Sequence, residues 1–206
     1  MLILSIDTSG KIASCALMEN GVLLREKRQD SLLDHSRLLL PLCQGLLRKA
    51  GKQPGDVDLF SAVIGPGSFT GIRIGTAAAK GLAWALEKPC WGVSSLLSMA
   101  WNWDGEGPVC CAIHARPGEH YYALFTKQGD ALLRLTEDTV GPDGDMEAAM
   151  ASHGCTARLE DCPSASGAAR DAWQAYLRGV TETCHEMNPA YLRITQAERM
   201  RKERQV

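Results

Sequence analysis

The sequence predicts an α/β fold of two lobes, with a mixed five-stranded sheet in the first lobe and a reduced second lobe. Three observations predict it. Three short apolar runs joined by tight turns open the chain. Strand-like and helix-like segments then alternate as far as Trp101. A polar break with glycine and proline follows, Trp103-Asp104-Gly105-Glu106-Gly107-Pro108, which places the lobes at 1–103 and 104–206.

Leu2 to Ile6 is the first strand. Ile12 to Met18 is the second, with Ala13, Cys15 and Leu17 alternating against Ser14 and Ala16. Asn20-Gly21 is a strong hairpin signal, so Val22 to Lys27 returns as the third. A helix follows, capped by Asp34 or Ser36, with Leu38, Leu42 and Leu46 on one face and Gly51 closing it. Pro41 sits in its first turns or kinks it. Leu59 to Ile64 is a buried strand, Ile72 to Leu86 a helix, Cys90 to Val93 a strand and Ser94 to Trp101 a helix. Three antiparallel strands followed by crossovers are the plan of ribonuclease-H-like and actin-like ATPase (ASKHA) domains, not of a Rossmann start. Beyond the break, Val109 to Ala115, Tyr121 to Thr126 and Ala131 to Thr136 read as strands. Segments 145–152 and 166–178 read as helices, and the charged tail 196–205 as a solvated, frayed one.

Composition narrows the function classes. The chain has 206 residues, 45% hydrophobic and 22% charged, which is ordinary globular usage. Its 22 basic and 24 acidic side chains leave a net charge of -2, excluding a nucleic-acid binder that works by bulk charge. No apolar run approaches the ~20 residues of a membrane span, and Asp7 interrupts the first one, against a signal peptide. Eight cysteines with no C-x-x-C read as reduced thiols of a cytoplasmic protein.

Two motifs carry candidate chemistry. Asp7-Thr8-Ser9 ends the first strand, where a carboxylate and hydroxyls meet a nucleotide phosphate or satisfy their own turn. Gly65-Pro66-Gly67-Ser68-Phe69-Thr70-Gly71 leads into a helix and suits either close backbone packing or an anion, though it lacks the G-K-[ST] ending of a P-loop. In that helix Gly71, Gly75 and Ala79 are spaced by four. Such a small-residue face admits a close neighbour, either the chain's own sheet or another molecule. The five histidines never form H-x-x-x-H, no serine sits in G-x-S-x-G, and neither a catalytic nor a metal site is expected. Arg116, Glu119 and Tyr121 read as a polar strand-turn cluster.

The residues resemble a known family. Ile6-Asp7-Thr8-Ser9, His35-Ser36 with Leu39-Leu40-Pro41, the run Gly65 to Gly75, Ala79-Lys80-Gly81-Leu82, Gly92-Val93-Ser94-Ser95-Leu96 and Pro189-Ala190-Tyr191-Leu192-Arg193 are similar to the TsaB (YeaZ) family. The resemblance implies the actin-like fold. It also implies a non-catalytic subunit for N6-threonylcarbamoyladenosine modification of tRNA at position 37. The implied partners are a catalytic TsaD-type paralogue, a TsaE-type ATPase and, through the complex, tRNA. TsaC supplies threonylcarbamoyl-adenylate. Because a small-residue helix face would seek the same face by symmetry, a homodimer is expected for the isolated chain, which holds no cofactor, with a nucleotide placed at most at the partner interface.

The implied partner-binding residues are His35, Leu38, Leu42, Leu46, Thr70, Gly71, Ile74, Gly75, Ala78, Ala79 and Leu82, with Asp7, Thr8 and Ser9 as a weak nucleotide site. The catalytic paralogue's H-x-x-x-H falls here on Ser95 and Met99, a hydroxyl and a thioether that do not replace two imidazoles. Where the family has Asp-Ala-Arg, this chain has His114-Ala115-Arg116, so a local hydrogen-bonding role is expected there. The competing readings are an autonomous actin-like ATPase or small-molecule kinase, and a metalloprotease.

Overall fold

The computed structural model describes residues 1–30 and 34–192. The charged tail and Arg193 lie outside the described residues. The chain opens with β1 (Leu2–Asp7), β2 (Ile12–Glu19) and β3 (Val22–Asp30). Asn20 and Gly21, the two residues between β2 and β3, both take positive φ (49° and 83°), the backbone of a tight hairpin whose twist suits the strands. Then come α1 (His35–Lys49), a 3-10 turn at Pro54–Asp56, β4 (Leu59–Gly65), α2 (Phe69–Ala85), β5 (Cys90–Ser94) and α3 (Ser95–Trp101). The first sheet has the order β3-β2-β1-β4-β5. β1 pairs antiparallel with β2 and parallel with β4, and β4 pairs parallel with β5. This is the mixed actin-like sheet expected from the meander and crossovers.

The second sheet comprises β6 (Gly107–Arg116), β7 (Glu119–Gln128), β8 (Ala131–Arg134), β9 (Thr139–Pro142) and β10 (Ala157–Glu160), in the order β10-β6-β7-β8 with β9 also on β7. Helices α4 (Asp143–Ser152) and α5 (Ala165–Leu177) complete the regular elements, and an irregular segment follows to residue 192. β9 and β10 were not expected from the sequence. α2 begins at Phe69 rather than Ile72, because the Ser68 hydroxyl accepts from the Gly71 N–H and caps it there. Pro41 lies inside α1 on its exposed side.

Period-two patterning divides the first sheet's faces. Leu2, Leu4, Ile6, Cys15, Leu17, Phe60 and Ala62 pack beneath α1 and α2 with Leu39, Leu42, Leu46 and Ala79. Ile3, Ala16, Met18 and Leu59 meet Ala165, Ala169 and Ala172 of α5 on the opposite face. The second sheet is covered by α3 through Leu96 and Met99, and by α4 through Met146.

A buried carboxylate locks α5 in place. Asp171 accepts the indole N–H of Trp91 at 2.7 Å on one oxygen and that of Trp101 at 3.0 Å on the other. One carboxylate thereby links β5, α3 and α5. Asp171→Ala strands both indole donors, so it should lower stability by about 2–4 kcal/mol in urea unfolding.

Candidate functional site

β1 and β4 are parallel neighbours, so the loops after them leave the sheet side by side. The two loops are in direct contact. The Ser68 N–H donates to the Ser9 carbonyl at 2.7 Å, and the Thr8 hydroxyl donates to the Gly71 carbonyl at 2.7 Å. A Cβ at Gly67 would stand 2.5 Å from the Ser9 oxygen. At Gly71 it would overlap the Thr8 carbonyl, and at Gly75 the Thr8 hydroxyl. Glycine is required here by space.

The same contact closes the Asp7-Thr8-Ser9 turn. These side chains are 1%, 0% and 3% exposed. Asp7 Oδ1 accepts both the Ser9 N–H (2.8 Å) and the Ser9 hydroxyl (2.7 Å), an Asx-type turn. Burial raises the Asp7 carboxyl above its ordinary value, opposed by the Ser9 hydrogen bonds and the Arg28 charge. His35 Nε2 lies 3.0 Å from the Gly10 carbonyl, tying the start of α1 to this turn.

The residues expected at a partner surface divide accordingly. His35, Leu42, Leu46, Gly71, Gly75 and Ala79 are buried within the chain. Leu38, Ile74, Ala78 and Leu82 are half-buried, and Thr70 is exposed. The glycine-lined face of α2 meets the chain's own β1, so its small residues serve internal packing. A bulky residue at 75 would disturb this fold before it reported on any partner.

The opposite face of α2 is the exposed one: Phe69, Thr70, Arg73, Ala77, Gly81, Trp84 and Ala85. Trp84 is 71% exposed and Phe69 41%, while on α1 Leu40 is 51% exposed beside the exposed Pro41. Space above Gly81 is open. At the N-terminal end of the face the Arg73 guanidinium lies 3.9 Å from the Phe69 ring centroid and donates to the Tyr191 hydroxyl at 2.7 Å. The Phe69 and Tyr191 centroids are 5.1 Å apart. Leu40, Phe69, Arg73, Ala77, Gly81 and Trp84 were not among the residues expected at a partner surface. The 100° spacing groups residues 69, 73, 77, 81 and 84 on one face opposite 71, 75 and 79, without saying which face is outside.

Chemistry elsewhere is sparse. Ser95 and Met99 both point into the interior, the Ser95 hydroxyl without a hydrogen-bond partner. Among the described residues, no group of three His, Cys, Asp or Glu side chains is placed to hold a metal ion. The cysteines are free thiols. Burial pushes Cys90 up to about 11 and Cys110 to about 12, while a hydrogen bond with Cys43 and then burial raise Cys15, all disfavouring thiolate. The His114 main-chain N–H donates to Asp161 at 3.0 Å, its ring packs edge-on against His120, and Arg116 pairs with Glu119.

A family model described as TsaD, tRNA N6-adenosine threonylcarbamoyltransferase, matches residues 30–168. The tRNA threonylcarbamoyladenosine biosynthesis protein TsaB of Escherichia coli K12 is 37% identical over 135 residues, 64% of this chain and 58% of that protein. Its Bacillus subtilis 168 namesake is 34% identical over 139 residues, 67% of this chain and 61% of that protein. The solved structure of YeaZ from Pseudomonas aeruginosa superimposes with a TM-score of 0.81 at 28% identity, covering 93% of this chain and 99% of that one. The chain belongs to the TsaB (YeaZ) branch of the TsaD family. Its sequence match spans about three-fifths of the length of these two TsaB relatives. Within this TsaB-type fold the glycine loop, the closed turn and the exposed α2 face form one unit.

Two measurements test that unit. Gly71→Ala should lower stability by about 1–3 kcal/mol through overpacking, whereas Gly81→Ala, facing open space, should raise it by up to about 1 kcal/mol. The raised Asp7 carboxyl supplies the pH test. With the folded value above the unfolded one, the native state binds more protons between the two, so stability is full below about pH 4 and falls as pH rises. Asp7→Asn removes that loss and should be the more stable chain at pH 7 but not at pH 4, as read by thermal melts.

Proposed function

We propose that this TsaB-type chain is a non-catalytic subunit for N6-threonylcarbamoyladenosine modification of tRNA, acting by docking and activating a TsaD-type catalytic paralogue. The observation that carries this reading is the outer face of α2 with its neighbour on α1. Phe69 and Trp84 expose large apolar surface on the α2 face that carries Ala77 and Gly81, small enough to admit the backbone of a partner helix, and Leu40 is exposed on the neighbouring α1. Aromatic and arginine side chains are the residue types that dominate binding energy at interfaces. In the absence of the paralogue, the same face suits a second copy of the chain in a two-fold dimer.

The lack of catalysis rests on side-chain chemistry. Ser95 and Met99 offer poor ligands to a hard metal, and the Thr8 and Ser9 hydroxyls are already hydrogen-bonded within the turn. A nucleotide therefore enters at most at the interface with the paralogue. A TsaE-type ATPase and tRNA join through the complex. Among the described residues no helix is long and apolar enough to cross a membrane.

Co-expression with the host's H-x-x-x-H paralogue, followed by size-exclusion chromatography, tests the reading. The two chains should co-elute. Trp84→Arg should weaken the pair at least about 30-fold without moving the melting temperature of the chain, as truncating an interface anchor does. Co-elution unaffected by Trp84→Arg, or threonylcarbamoyl transfer by the chain alone, would count against it.

A further inference from the structure

Charge is unevenly placed on this chain. Residues 22–52 carry seven basic against three acidic side chains, a net of +4, although the whole chain is at -2. The edge strand β3 sorts these charges by face. Lys27 opposes Cys15 and Arg25 opposes Leu17, both of which lie under α1. Glu26 projects to the other face, where its carboxylate accepts the Ser166 N–H at 3.1 Å. The α1 side of β3 is therefore left with cations alone among its charged residues.

Register brings more positive charge to the same place. Gly45 of α1 stands beside Lys27, its ideal Cβ 3.9 Å from the Lys27 Nζ. Just beyond α1, Lys52 pairs with Glu19 at 2.7 Å. Arg25 lies between these two levels on β3, as Arg48 and Lys49 do on the last turn of α1. Arg25, Arg48 and Lys49 are exposed and Lys27 is half-buried. Among the described residues none of the four is in an ion pair; Glu19, the nearby carboxylate, is taken by Lys52. α1 covers β2 and β3 while α2 covers β1 and β4, so this cluster lies on the far side of α1 from Trp84.

We propose that Arg25, Lys27, Arg48 and Lys49 form a binding edge for the phosphate backbone of RNA. The identity of the polyanion rests on the tRNA reading above; the edge itself rests on the charge placement. Lysine and arginine without carboxylate partners release condensed counterions when they meet phosphates, and such contacts position an RNA without reading its sequence. RNA held along this edge leaves the apolar face of α2 free for protein.

The test uses the full chain with a fluorescently labelled, unmodified tRNA transcript, read by anisotropy across a monovalent-salt series. Wild type should bind at low salt and weaken steeply as salt rises. The R25Q/R48Q/K49Q chain should give a log-log salt slope shallower by about 2–3, at roughly 0.7–0.9 per lost phosphate contact. R170Q/R178Q, on α5 across the sheet, should match wild type. Because Arg48 and Lys49 also face the C-terminal end of α1, a charge-conserving R25K/R48K/K49R chain guards against a folding artefact and should bind as wild type. No binding by wild type, an unchanged slope in the glutamine chain, or loss of binding in the charge-conserving chain overturns the proposal. Co-elution with the paralogue reads the docking proposal separately.

Discussion

The upper layer of the first sheet depends on one close approach, the backbone of the β4–α2 loop lying directly on the turn that follows β1. No side chain separates them at Gly67, Gly71 or Gly75. Glycine within a helix costs about 1 kcal/mol relative to alanine. Here the cost is offset by the hydrogen bonds of Thr8 to Gly71 and of Ser9 to Ser68, and by the burial that the approach permits. Seating α2 this low turns Gly71, Gly75 and Ala79 inward and its aromatic residues, Phe69 and Trp84, outward. The same turn takes the start of α1 through His35, so both helices presenting the outer surface are referenced to one point in the sheet.

This arrangement leaves the Asp7-Thr8-Ser9 turn with its hydrogen-bonding capacity already used. A phosphate-binding turn needs donors that are oriented but unoccupied. In this chain the Ser9 N–H is directed to Asp7, the Thr8 hydroxyl to Gly71 and the Ser68 N–H to Ser9. Opening the turn would break all three and expose a carboxyl whose burial already disfavours its charge. What remains available for binding is surface. An α2 of 17 residues spans roughly 25 Å, long enough to lie along a partner helix, and each fully buried aromatic contributes on the order of 1.5–3 kcal/mol.

Local patterns in the sequence reported local structure well. The alternation of Ala13, Cys15 and Leu17, the Asn20-Gly21 turn and the leucine spacing of α1 each specify an element without reference to distant residues. β9 and β10 have no such pattern. Thr139–Pro142 is four residues long with glycine and proline, and Ala157–Glu160 is rich in charge. Each becomes a strand only because a distant edge accepts it, β9 on β7 and β10 on β6. The orientation of α2 was illegible for a different reason. Its residues are apolar on nearly every side, so periodicity alone does not say which side is inside. Gly71, Gly75 and Ala79 carry no polarity to betray burial, and their spacing suits an internal and an external neighbour equally. Only the position of the Thr8 carbonyl separates the two.

The segment 182–192, which leads into and includes the described part of the Pro189–Arg193 signature, has a physical role that follows from the same geometry. Glu182 and Cys90 exchange backbone hydrogen bonds, the Lys80 ammonium donates to the Met187 carbonyl at 2.8 Å, and the Ala190 N–H donates to the Ile64 carbonyl at 2.8 Å. The stretch thus runs from the edge strand β5 along α2 to the glycine loop, where the Ala190 oxygen occupies the space a Cβ on Gly65 would need. It ends by placing Tyr191 against Arg73 and Phe69. A guanidinium stacked on the Phe69 ring and hydrogen-bonded to the Tyr191 hydroxyl has little rotamer freedom left to lose on binding. Trp84, at the other end of α2, has no comparable support and is largely in solvent. The outer face is therefore preorganised at one end and adaptable at the other.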